Sequence, residues 1–203
     1  MILKRVFLSL IIIVFLSGTI YYFFRNQKWE ETNMPSRNED SSETVPSLKR
    51  PKTINMQIQS SAFQEGEYIP SKYTCDGENI SPTLKISGVP KESKSLALIV
   101  DDPDAPTGHW VHWVIWNINS ETTEIPENSV PVEAVEGMTS FGRIGYGGPC
   151  PPSGTHRYFF KLYALDTELN LSSAADAKKL KKAMEGHILA SVQLMGLYKR
   201  QSN

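Results

Sequence analysis

The chain has 203 residues, 40% hydrophobic and 21% charged, a composition typical of globular proteins and unlike that of disordered ones. Residues 1–53 carry eight Lys and Arg against five Asp and Glu, and residues 54–203 carry thirteen against seventeen, so the larger part has a net charge of −4. A net-acidic domain lacks the concentrated basic charge that a nucleic-acid backbone requires, and two cysteines are too few for a disulfide scaffold or a Cys-rich zinc site.

At the N-terminus, Lys4 and Arg5 precede nineteen uncharged residues, Val6 to Phe24, and Arg25 and Lys28 follow. As a helix these rise about 28 Å, close to the ~30 Å hydrocarbon core of a bilayer. The apolar region of a signal peptide is shorter, about 7–15 residues, and Tyr21-Tyr22-Phe23-Phe24 suits an interfacial aromatic belt. Residues 1–28 therefore read as a single-pass membrane anchor, N-terminus inside and domain exported, with secretion after signal cleavage as the alternative. Residues 29–53, rich in Ser, Glu, Asn, Pro and Lys, read as a disordered tether. The globular domain is expected over 54–203.

Within that domain the pattern is strand-like. Ile54, Met56 and Ile58 alternate with polar residues, as do Leu84 and Ile86, and the apolar run Ser95 to Val100 suits a strand buried on both faces. Trp110 to Ile118 and Arg157 to Leu165 are β-branched and aromatic, bounded by turn formers such as Gly88-Val89-Pro90 and Gly147-Gly148-Pro149. Such punctuation predicts an antiparallel sandwich or barrel. At the C-terminus, Ser172 or Ser173 is expected to cap a helix beginning at Ala174. Leu180, Ala183, Met184, Ile188 and Val192 extend its spacing, and Gly186 is expected to divide it into two helices. Lys178 to Lys182 reads as its solvated face.

Two segments concentrate reactive and turn-forming residues: Asp101-Asp102-Pro103-Asp104-Ala105-Pro106 leading to His109-Trp110-Val111-His112-Trp113, and Gly145-Tyr146-Gly147-Gly148-Pro149-Cys150-Pro151-Pro152 leading to His156-Arg157-Tyr158. Each joins a Pro/Gly loop to a strand bearing a histidine, an arrangement suited to a binding site held by a rigid scaffold. Strand parity puts His112 on a face with Trp110, Val114, Trp116 and Ile118, and His156 on a face with Tyr158, Phe160 and Leu162. Two histidines on apolar faces beside such loops can donate to an anion when protonated, and glycine amides can approach a ligand closely. Asp102 and Asp104 would orient a histidine or meet an amine. Competing chemistries are weaker. Cys150 with a histidine and an aspartate could form a nucleophilic trio, but no helix N-terminus is evident to activate the thiol. Ser153 lacks the Gly-x-Ser-x-Gly setting, and His109-x-x-His112 on a strand would face opposite sides, so no metal site is expected. Cys75 and Cys150 could pair if exported, or remain two buried thiols.

The same motifs, with Tyr73-Thr74-Cys75-Asp76-Gly77-Glu78-Asn79-Ile80-Ser81-Pro82 and Gly186-His187-Ile188-Leu189-Ala190, resemble the phosphatidylethanolamine-binding protein family, in particular its bacterial Raf-kinase-inhibitor-like branch. The similarity covers about residues 54–200. It implies a mostly β fold, an antiparallel β-sandwich with C-terminal helices, and a small pocket for phosphate-like anions. By motif the pocket falls on Asp102, His112, Gly147, Gly148 and His156, with Pro106, Trp110 and Tyr158 as walls, and Asp104 joins the candidate set. Arg157, on the opposite parity from His156, is expected to bridge to an acidic loop residue. The implied activity is reversible, non-enzymatic binding of a phosphate-bearing small molecule or lipid headgroup, with no cofactor. The alternative is inhibition of a protein kinase or protease through the same pocket, and a hydrolase ranks third.

Overall fold

A computed structural model describes residues 55–200; the expected anchor and tether lie outside the described residues. Within them no helix is long and apolar enough to cross a membrane. Among the described residues eight strands form two sheets: β1 (Gln57–Ser60), β2 (Leu84–Ser87), β3 (Ser95–Asp102), β4 (Trp110–Asn119), β5 (Glu124–Ile125), β6 (Val135–Glu136), β7 (His156–Leu165) and β8 (Ile188–Tyr198), with one α-helix, α1 (Ala177–Met184). The smaller sheet has the order β1-β2-β5 and the larger β6-β4-β3-β7-β8, and the strand pairs within both are antiparallel.

Burial explains why β3 reads as an unbroken apolar run. Leu96, Leu98 and Val100 face Ile58, Leu84 and Ile125 of the smaller sheet, while Ala97 and Ile99 face Leu180 and Met184 of α1. Every residue of β3 is buried, as a strand between two layers requires. The larger sheet is thus a middle layer, with the small sheet on one face and α1 on the other.

Two readings of the C-terminus are corrected. The helix is capped by Asp176, whose carboxylate accepts the Lys179 N–H at 2.8 Å, not by Ser172 or Ser173. After Gly186, in the left-handed region at φ +81°, the chain does not start a second helix. It becomes β8, paired along its length with β7. Ile188 and Val192 fit a helical spacing only by coincidence; with Ala190, Leu194 and Tyr198 they also fit the period of two that the pairing selects.

β4 also departs from simple alternation. Val100 pairs with Trp113 and Asp101 with Val111, so His112 is an extra residue at a bulge. A second irregularity falls at Asn117, which has a φ of +55°. Between them Trp113 and Ile115 join the inter-sheet core, and Val114 and Trp116 turn to the helix side. The expectation that His112 shares a face with Val114 and Trp116 fails for this reason: a bulge reverses parity.

Candidate functional site

The bulge turns two successive side chains towards the inter-sheet side at the end of the sandwich. His112 packs edge-on against Tyr158, ring centroids 5.2 Å apart, while its neighbour Trp113 enters the core. β7 brings His156 in beside Tyr158 and Phe160 on the same face, as alternation predicts. Between them the end of β3 supplies Asp102. The three side chains are nearly inaccessible, at 3% for His112, 7% for His156 and 3% for Asp102, and together they line a cavity of about 330 Å³. Two larger surface clefts, of about 530 and 550 Å³, lie along Tyr68–Ser71 with Tyr198–Arg200 and between β1 and β8. Neither contains a histidine or Asp102, so the smaller cavity is where the chemistry gathers.

Hydrogen bonds fix the state of both imidazoles. His112 Nδ1 lies 2.6 Å from the Gly147 carbonyl oxygen, which can only accept, so Nδ1 carries the proton. His156 Nδ1 lies 2.8 Å from Asp102 Oδ2 and donates to it. The other carboxylate oxygen, Oδ1, accepts the Asp104 N–H at 2.8 Å, which holds Asp102 in place. In each neutral ring Nε2 is left as the unprotonated nitrogen. Burial pushes the His112 imidazole below its ordinary value, against the opposing pull of the Gly147 carbonyl and the Asp102 charge.

Five of the expected residues line this cavity: Asp102, Pro106, Trp110, His112 and His156. Tyr158 sits behind it, fully buried, with a hydroxyl that lies near the Asp102 side chain and the Cys150 backbone but forms no well-aligned hydrogen bond. Burial, and then the Asp102 charge, push that phenol far above its ordinary value.

Gly147, Gly148 and Asp104 take different places from those expected. The Gly147 N–H donates to the His112 carbonyl at 2.9 Å and the Gly148 N–H to Asn79 Oδ1 at 2.7 Å, so both amides are engaged within the protein. Their part in the site is to hold His112 and the loop behind it. Asp104 is bound twice by the Arg157 guanidinium, at 2.6 and 2.9 Å, and also accepts the Arg157 backbone N–H at 2.9 Å. This is the bridge expected for Arg157. It lowers Asp104 to about 2 and clasps the 103–109 loop to β7.

The sequence reading missed Phe141, which stacks edge-on against both Trp110 and His112 at centroid distances of 5.4 Å and forms a wall of the cavity. Nothing local marks it, since it reaches the site from a loop nearly thirty residues beyond His112. Cys150, Pro151 and Pro152 also line the cavity; the Gly-Pro-Cys-Pro-Pro run was a signal for them. Cys150 is bonded to Cys75, with Cα atoms 5.4 Å apart, so the thiol that a cysteine-nucleophile reading would use is tied up.

Fold and site together define an antiparallel β-sandwich whose strand ends carry a small cavity walled by two histidines, an aspartate and aromatic and proline side chains. The sequence profile of the phosphatidylethanolamine-binding protein family matches residues 59–199, and the chain belongs to that family. A UPF0098 protein of Methanothermobacter thermautotrophicus is 54% identical over 150 residues, which covers 71% of this chain and 99% of that protein. Among solved structures, a phosphatidylethanolamine-binding protein homolog of Chlamydia trachomatis, CT736, superposes with a TM-score of 0.71 at 44% identity, covering 73% of this chain and 100% of that one. YbcL of E. coli, a member of the mammalian PEBP family, gives 0.68 at 33% identity, covering 72% and 99%.

Proposed function

We propose that this domain reversibly binds a small phosphorylated or otherwise anionic ligand, such as a phosphomonoester or a phosphoethanolamine-type headgroup, without chemical turnover. The observation that carries the reading is the pair of buried imidazoles at one cavity, each with Nδ1 committed as a donor and Nε2 left over. The P–OH of a phosphomonoester monoanion can donate to one neutral Nε2, and the second ring meets a phosphate oxygen only by taking up a proton; Asp102 is placed to stabilise that charge on His156. The complex therefore holds protons that its separated parts lose as pH rises. We also propose that residues 1–28 anchor the chain in a membrane with the domain exported, since Val6 to Phe24 is uncharged and long enough to span.

Titration of phosphoethanolamine and of inorganic phosphate into the full-length chain in mild detergent, followed by amide NMR, tests the binding reading. Shifts concentrated at Asp102, His112, Phe141 and His156, and lost in His112→Ala, are expected. No shifts at tens of millimolar ligand would refute it, and would turn the same cavity towards a phosphorylated or acidic side chain of a partner such as a kinase or protease. Retention of the chain in membranes washed with alkaline carbonate tests the anchor, and release into the wash would sink it.

A further inference from the structure

The cavity's wall at Cys150–Pro152 is fastened by a bond that the ligand reading leaves unused. Up to Pro149 the loop is held by several contacts: the Tyr146 hydroxyl donates to the Tyr73 carbonyl at 2.9 Å, the Gly148 N–H to Asn79, and the Cys75 N–H to the Pro149 carbonyl at 3.1 Å. From Pro151 to Thr155 no hydrogen bond joins the segment to the rest of the described residues, although Pro151 is buried. At His156 the chain enters β7. The Cys75–Cys150 bond therefore stands at the point where the wall leaves its hydrogen-bonded support. Both cysteines are exposed to solvent, and Cys150 itself faces the cavity.

We infer that Cys75–Cys150 is a thiol–disulfide exchange site at the rim of the cavity, open to a dithiol reductant in the folded protein, and that its closure holds the 150–155 wall in the shape that binds ligand. This rests on the ligand reading above only for the affinity it sets. The exchange is conservative. A thiolate of the dithiol attacks one sulfur of the bond, forming a mixed disulfide and releasing the other cysteine as a thiolate that takes up a proton. The reductant's second sulfur then displaces the protein. Two electrons and two protons pass to the protein, leaving two cysteine thiols and an oxidised reductant. With the bond cut, the wall preceding His156 gains freedom that must be lost again on binding, and pre-organisation of that kind is worth about tenfold in affinity or more.

The full-length chain would be studied oxidised, after excess dithiothreitol, and after reoxidation. Thiols are counted by a chromogenic disulfide reagent without denaturant, backbone NMR order parameters are followed at Cys150, Ser153, Gly154 and Thr155, and phosphoethanolamine is titrated into each form. The inference expects two reactive thiols, lower order parameters at those four amides with β3 and β4 unchanged, and affinity lower on the order of tenfold, all reversed by reoxidation. It is overturned if thiols emerge only on unfolding, or if reduction leaves both order parameters and affinity as they were. Should phosphoethanolamine bind neither form, the ligand reading falls by itself, and the order parameters still decide whether the bond orders the wall. The double variant Cys75→Ser/Cys150→Ser should reproduce the reduced state without reductant. If that variant does not fold, the reduced native chain remains the test.

Discussion

Gly147 and Gly148 are neighbours behind the cavity but meet different surroundings, so alanine at each should separate loop support from cavity shape. A Cβ on Gly148 would lie 2.6 Å from the Tyr73 carbonyl oxygen and 2.7 Å from both Asn79 Oδ1 and Thr74 Cα. Two of those atoms are backbone, in a segment fixed by the disulfide and by the hydrogen bonds of Tyr146 and Pro149, so the chain must move. Overpacking of this kind costs about 1–3 kcal/mol and losing the Gly148–Asn79 hydrogen bond about 1 more, which puts Gly148→Ala at about 2–4 kcal/mol. For a domain near 150 residues that lowers Tm by roughly 5–15 °C. A Cβ on Gly147 would collide with the ring of Phe141 alone among close neighbours, and that side chain, 39% exposed, can shift only by giving up edge contacts with Trp110 and His112. Gly147→Ala should therefore cost about 1 kcal/mol, less than Gly148→Ala, but it displaces a wall of the cavity and should change phosphoethanolamine affinity several-fold. Thermal unfolding by near-ultraviolet circular dichroism and ligand titration, on both variants of the full chain, check this. An unchanged Tm for Gly148→Ala, or equal destabilisation by the two, would refute the assignment of these glycines to different contacts.

Other outcomes follow from the same geometry. Tyr158→Phe removes a buried hydroxyl that makes no well-aligned hydrogen bond, so urea unfolding should show stability unchanged or raised by up to about 1 kcal/mol; a clear loss would mean the hydroxyl is satisfied by Asp102 or by the Cys150 backbone. Arg157 holds Asp104 at about 2, below its ordinary 3.8. The native state thus binds fewer protons than the unfolded chain between those values, and the pair's contribution is present above pH 4 and lost as pH falls towards 2. Asp104→Asn should flatten that part of an acid-unfolding curve, and an unchanged curve would remove the pair from the account. Phosphoethanolamine affinity should fall as pH rises above about 6 to 7, because the complex keeps a proton that ligand and imidazole otherwise release. Binding that strengthens with pH in calorimetric titrations would reverse the proposed proton placement.

Much of the fold was readable from side-chain period alone. β1, β3, β4 and β7 sit where alternation or an apolar run placed them, because each buries one or both faces against a continuous layer. The two-residue strands β5 and β6 are too short to carry a period. β8 was hidden because Leu189, Met195 and Leu197 fill its outward positions with half-buried apolar side chains, which blurs alternation into a helix-like spacing. At the site, Asp102, His112 and His156 were within reach of sequence because they lie where loops meet strands. The engagement of the Gly147 and Gly148 amides within the protein was not, since close approach and amide donation use the same residue type and only the neighbours tell them apart. The His112 bulge depends on the partner strand and leaves no mark in β4's own sequence.

Register accounts for the oddest pair in the chain, two adjacent aspartates that are both buried. Asp101 is fully inaccessible and Asp102 is 3% exposed, and a buried carboxylate without a partner is costly enough to unfold a domain of ordinary stability. Because β3 alternates, the two point to opposite faces, and β7 is aligned so that Asp101 opposes Phe159. Lys161 then shares the Asp101 face and reaches both of its oxygens at 2.7 and 2.8 Å, while His156 shares the Asp102 face and binds it at 2.8 Å. The lysine pairs with Asp101 on the helix side. The histidine pairs with Asp102 on the cavity side. A slip of one residue between β3 and β7 would exchange these partners, putting Lys161 among the inter-sheet core and His156 on the helix face. The alignment that keeps both carboxylates satisfied is therefore the same one that delivers an imidazole to the cavity.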